Sequence, residues 1–160
     1  FFPHQGLENF LAALASYNNP SKNLFLHIAG NLTEHQKNLI NNNSNIFLYP
    51  SEKLNKKEFY SILDIVLGPL RTDKIGLSEL SSLKAKEALS FGVPVYAGCS
   101  DVSFDEDFLF YSYGKINLNK IIELAENYKN TDKQTIYQVS AKFINKQSIQ
   151  ERIINELGNL

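Results

Sequence analysis

The chain has 160 residues, a formal net charge of −1, 43% hydrophobic residues and 12% aromatic ones. That is the size and make-up of one folded domain, and it excludes a disordered chain, because the aromatic and aliphatic side chains suffice for a core. The 16 basic residues against 17 acidic ones speak against a nucleic-acid platform, the single Cys99 excludes an internal disulfide or a Cys-based zinc site, and no run approaches the roughly 18 apolar residues of a membrane span.

No methionine occurs, and Phe1 leads at once to Pro3 and a helix-like run. The chain therefore reads either as an excised piece or as a sequence from which methionines have been omitted. Leu7, Phe10, Leu11 and Leu14 form a helical stripe over Gly6 to Tyr17. Asn23 to Ala29 is a short apolar run that stops at Gly30, as in a strand buried on both faces. Thr33 can cap a helix to about Asn41, and the Asn41–Asn45 cluster reads as a helix end and turn. Asn45 to Tyr49 is a second strand, and Asn55 can cap a helix through Leu63. Asp64 to Gly68 is a third strand, ended by Pro69. A loop then leads to a helix from about Ser82 to Phe91 and a fourth strand over Val93–Ala97. Phe108 to Tyr111 is a candidate fifth strand, and helices are expected over Leu118–Tyr128, Asp132–Phe143 and Ser148–Leu157.

Strands and helices alternate with short connections. The expected fold is therefore an α/β, Rossmann-like open parallel sheet with helices on both faces. Ligands in such folds sit beyond the C-terminal edge of the strands, near the point where strand order reverses. That directs attention to Gly30-Asn31, Tyr49-Pro50-Ser51, Gly68 to Ser82 and Ala97 to Ser103.

The informative stretch runs from Gly76 to Val95. A loop feeds a helix N-terminus at Ser81 or Ser82, and Gly92 and Pro94 then stop the helix and start a strand. Free N–H groups and the positive dipole end make that terminus an anion site. Lys84 and Lys86 lie in its first turns, where a diphosphate would offset their opposition to the dipole. Glu87 lies three residues after Lys84, hence on the same side, and suits a bidentate hydrogen bond to ribose hydroxyls.

This segment resembles the donor-binding signature of GT-B glycosyltransferases of the retaining group-1 (family 4) type. The motif reads Glu79-x7-Glu87, then Ala88, Gly92 and Pro94-Val95. The helix around Gly6-Leu7-Glu8, the strand Leu26-His27-Ile28-Ala29-Gly30, the passage Ile46–Tyr49 to Val66 and the last helices with Phe143 resemble the family in the same order. The resemblance implies that residues 1–160 are one nucleotide-sugar-binding domain, an excised C-terminal lobe without its N-terminal acceptor lobe. It implies Glu79, the candidate catalytic residue, on donor-sugar hydroxyls without a nucleophile's role. It places Glu87 on the ribose, the amides near Leu80, Ser81 and Ser82 with Lys84 on the diphosphate, Tyr49 and Pro50 beside the base, and Gly30 at a close approach. The implied donor is a UDP-sugar or GDP-sugar, with no cofactor and no metal. The sugar passes with retention to a glycan or lipid-linked acceptor. The implied setting of the full-length enzyme is the cytoplasm, with peripheral membrane association and no nucleic-acid partner. Gln5 stands where relatives usually carry Lys, and Lys74 or Arg71 are candidate substitutes.

Two other readings of the same architecture are a nucleotide-sugar epimerase and a non-enzymatic flavodoxin-like binding module. The first needs an acid–base pair facing the sugar, and no clear pair is visible. The second, as a receiver, needs acidic residues at the end of its first strand, where this chain has Gly30. His27 reads as a core histidine and Cys99 as a small packed residue. Asp101, Asp105, Glu106 and Asp107 read as a solvated loop.

Overall fold

The computed structural model describes residues 3–17, 19, 22–40 and 43–145. The helix expected over 148–157 and two residues of the asparagine cluster, 41 and 42, lie outside them. Six α-helices and five strands lie along the described chain, alternating from the first helix to the fourth strand and ending in a fifth strand and two helices. Helix α1 (Leu7–Ser16) buries Phe10 and Leu11. Helix α2 (Glu34–Ile40) opens on a reciprocal box, with Gln36 N–H donating to Thr33 Oγ1 at 3.2 Å and Thr33 N–H donating to Gln36 Oε1 at 3.1 Å. The next helices start where a short polar side chain accepts from a backbone N–H three residues on. Asn55 caps α3 (Lys56–Ser61), Ser82 caps α4 (Leu83–Ser90), Asn117 caps α5 (Leu118–Tyr128) and Asp132 caps α6 (Lys133–Ile144).

All strand pairings among the described residues are parallel. Strand β1 (Leu26–Ala29) pairs with β2 (Ile46–Tyr49). Strand β4 (Val95–Ala97) lies between β3 (Val66–Leu67) and β5 (Tyr111–Tyr113). The expected α/β architecture is present, but the sheet is divided into a two-stranded and a three-stranded part. The fifth strand begins three residues later than expected. Phe108 and Phe110 are core side chains instead, packed edge-to-face on each other, and Phe110 O accepts from Val95 N–H at 2.8 Å.

Period-2 alternation splits the core between the two faces of the three-stranded part. Val66 and Val95 face α3, α4 and α6, with Tyr60, Leu89, Ile136 and Phe143. Ile65, Leu67 and Tyr96 face α1 and α5, with Phe10, Leu118 and Ile121. Lys133 fixes α6 to the end of α3, because its Nζ donates to the carbonyls of Tyr60, Ser61 and Leu63 at 2.6, 3.0 and 3.0 Å. Those are carbonyls that a helix end leaves unpaired.

Candidate functional site

The C-terminal ends of β1 and β3 meet at a cavity of about 510 Å³ that runs between the two strands. β1 of the two-stranded part and β3 of the three-stranded part both line it, so it lies where a switch point is expected in an α/β fold. Ala29, Gly68, Gln5 and Lys84 line it near the C-terminal edge. Gly68 permits a tight approach there, since a Cβ at that position would lie 3.0 Å from Ala97 Cβ. Gly30 follows β1 with φ 129° and donates its N–H to Tyr49 O at 3.0 Å.

Lys84 is the lysine that lines this cavity near its C-terminal edge. It sits in the first turn of α4, partly buried, and burial draws its ammonium below the usual lysine value. The sign follows from which state releases the proton first. Below the lowered value both folded and unfolded chains are protonated, and the fold carries the cost of the desolvated charge. Between it and the ordinary 10.5 only the unfolded chain holds the proton, so stability rises with pH. Lys84→Met is therefore expected to be more stable than the parent at pH 7. The difference in urea midpoint should close as pH approaches 10.5, and a constant difference would contradict this placement of Lys84.

The start of α4 is occupied by a carboxylate of the chain itself. Asp101 is 3% exposed. Its Oδ2 accepts from Ser82 N–H at 2.8 Å and its Oδ1 from Ser103 N–H at 2.9 Å. This corrects the reading of Asp101 as part of a solvated loop: a buried carboxylate here is held by backbone donors and by the positive end of α4. Asp105, Glu106 and Asp107 are exposed, as expected. Leu80 N–H donates to Ser100 O at 3.0 Å. Ser81 Oγ lies 3.2 Å from Ser103 Oγ and accepts from Lys86 Nζ at 2.7 Å. The Leu80 and Ser82 amides expected at a diphosphate thus already have partners.

Glu79 and Glu87 have different neighbours. Glu79 is exposed in the loop, in a parallel bridge with Ser100. Glu87 lies on α4, and its Oε2 accepts from Lys56 Nζ at 3.0 Å. It also stands beside the Tyr60 phenol, which burial foremost and the Glu87 charge next raise above the usual tyrosine value. Arg71 is committed to Asp73 through two hydrogen bonds of 2.8 Å each. That fork, foremost its hydrogen bonds, lowers the Asp73 carboxyl below the usual carboxylate range.

Tyr49 and Pro50 border a second hollow of about 270 Å³, shared with Lys53, Leu54, Asn55 and Phe59. The Tyr49 hydroxyl lies 2.9 Å from His27 Nδ1, and its ring packs edge-to-face on Phe59. Burial lowers the His27 imidazole below its usual value.

Two residues of this arrangement were missed from sequence. Asp101 had a local signal, since Asp101-x-Ser103 is the pattern of a turn in which an Asp side chain accepts from the backbone two residues on. Lys56 had none, because it lies 31 residues from the Glu87 that it pairs with. Among the described residues no group of three or more His, Cys, Asp or Glu could hold a metal ion, and no helix is long and apolar enough to cross a membrane. No family model, curated protein or solved structure matches the chain.

Proposed function

We propose that the chain is the nucleotide-sugar-binding lobe of a retaining GT-B glycosyltransferase of the group-1 (family 4) type. One observation carries this reading: the partly buried Lys84 lines the switch-point cavity beside Gly68 and Ala29, where α/β folds receive nucleotide phosphates. Lys84 Nζ supplies the positive charge for the diphosphate, in place of the amides that Asp101 and Ser100 occupy. During transfer the bond from the sugar's anomeric carbon to the phosphate oxygen breaks, a bond to the acceptor oxygen forms, and the acceptor hydroxyl passes its proton to the departing diphosphate. Charge gathers on the departing nucleoside diphosphate, and a fixed ammonium in a partly dry cavity stabilises it. Glu87 takes the ribose hydroxyls after exchanging them for Lys56. The hollow beside Tyr49 and Pro50 holds the base, and Glu79 contacts the donor sugar. The acceptor, a glycan or a lipid-linked acceptor, is held by a second lobe in the cytoplasmic full-length enzyme. A non-enzymatic binding module is the second reading. It is favoured by Asp101, which fills the helix pole that a diphosphate would otherwise use.

A thermal-shift series with UDP, GDP and CMP separates the two. Ligand at about 100 times its dissociation constant stabilises a fold by about 2.7 kcal/mol, which is roughly 5–10 °C for a domain of this size. UDP or GDP is expected to give such a shift and CMP not. Lys84→Met and Glu87→Ala are expected to lose it, and Lys56→Ala to keep it. Silence toward all three nucleotides would favour the binding module.

A further inference from the structure

Lys56 Nζ and Glu87 Oε2, 3.0 Å apart, form an ion pair between α3 and α4. Lys56 is the first residue of α3, whose start Asn55 fixes by accepting from Glu58 N–H. A cation in that turn opposes the helix dipole, and the Glu87 carboxylate offsets the opposition. The Lys56 side chain is 58% exposed and that of Glu87 35%, so a ligand can reach the carboxylate and the ammonium can swing into water.

The pair is flanked by residues of both spaces described above. Tyr60 lines the cavity, and its phenol stands beside the Glu87 carboxylate. Asn55 and Glu58, next to Lys56 on the chain and one turn on, border the hollow beside Tyr49 and Pro50. Under the nucleotide-binding reading, on which this inference rests, the cavity takes the diphosphate and the hollow takes the base. The ribose joins the two, so it comes to the Lys56–Glu87 pair.

Two claimants then meet at one carboxylate. A ribose presents two vicinal hydroxyl donors, and a bidentate bond takes both oxygens of Glu87, including the Oε2 that Lys56 already holds. A 2′-deoxyribose presents one hydroxyl at that edge, which takes Oε1 while Lys56 stays on Oε2. We propose that Lys56 is a specificity-determining residue: by competing with the ribose 2′-hydroxyl for Glu87, it narrows the preference of the site for ribonucleoside over 2′-deoxyribonucleoside diphosphates. A site that reads a hydroxyl rejects the analogue lacking it because its own polar group is left unpaired. Here Lys56 supplies the missing partner, so the deoxynucleotide leaves no orphaned carboxylate. The ribonucleotide must displace the ammonium before it gains its second bond. Both effects bring the two affinities together.

The test is the ratio of the dissociation constants of 2′-deoxy-UDP and UDP, with the corresponding GDP pair alongside, measured by titration calorimetry on the 160-residue chain. The two members of each pair carry the same charge, so any general pull of Lys56 on the diphosphate cancels in the ratio. An ion pair this exposed is worth a few-fold in an equilibrium constant, and Lys56→Met should raise the ratio ~3-fold. Lys56→Arg should lower it, because a guanidinium fork grips both oxygens of a carboxylate. In a Glu87→Gln background Lys56→Met should leave the ratio unchanged, since a neutral amide does not hold the ammonium as an ion pair. Added salt should raise the ratio in the parent and not in Lys56→Met, because it screens the pair. The salt comparison in the parent needs no variant to fold. A ratio that Lys56→Met leaves unchanged or lowers overturns the proposal and leaves the nucleotide reading in place. Absence of binding by all four nucleotides overturns both.

Discussion

Gly92→Ala is expected to destabilise the fold by roughly 3–5 kcal/mol, from a left-handed residue without glycine's freedom and an overpacked backbone contact together. Gly92 ends α4 with φ 71°. A Cβ there would lie 2.1 Å from Lys133 O and 2.6 Å from Lys133 C, and neither backbone atom can swing aside. The residue it would push is the first of α6, and Lys133 also holds the carbonyls at the end of α3. Urea unfolding should show a midpoint lower by about 2 M at a slope of about 2 kcal/mol per M. Gly76→Ala is the control, because Gly76 has φ 69° but nothing within 4 Å of its would-be Cβ. It should cost only about 1–2 kcal/mol. Equal losses in the two variants would mean that α4 and α6 are not in contact at Gly92.

Asp101→Ala is expected to cost about 2–4 kcal/mol, because it leaves the Ser82 and Ser103 N–H groups without their acceptor in a buried place. It also removes the negative charge from the start of α4, which adds a smaller loss. Asp101→Asn keeps one acceptor oxygen and should lose less, about 1 kcal/mol. The ordering of the two variants in urea midpoint checks the assignment. An alanine variant as stable as the parent would place Asp101 in solvent after all.

The local elements were legible in the sequence because their determinants are local. The stripe of Leu7, Phe10, Leu11 and Leu14 marks α1, and Asn55, Ser82 and Asp132 mark helix starts that the structure capped at those residues. Gly92 and Pro94 mark the passage from α4 to β4. The candidate site was legible as a place, the loops at the C-terminal strand edge. Its wiring was not. Which strand pairs with β1 depends on contacts between distant segments, and an apolar run such as Leu26–Ala29 reads alike for any buried neighbour. Phe108-Leu109-Phe110 has the composition of a strand, yet its phenylalanines fill the core and the pairing starts at Tyr111. Asp101 stands close to three exposed carboxylates, and only the folded loop separates it from them. Arg71 looks free in sequence until the turn at Thr72–Ile75 brings Asp73 onto its guanidinium.

The switch-point cavity opens to its C-terminal edge at Gly68, Ala29 and Lys84, and it extends between β1 and β3 toward Asp64 and Lys129 at the opposite edge.

In the proposed function Lys84 and its neighbours receive the phosphates of a nucleotide. The most direct measurement of this is a backbone amide shift map of the 15N-labelled chain titrated with UDP and with GDP. The account predicts saturable shifts at Gly30, Gly68, Lys84 and Glu87, with Tyr49 responding to the base, and their loss in Lys84→Met. An unchanged spectrum with both nucleotides, or the same shifts in Lys84→Met, would contradict it.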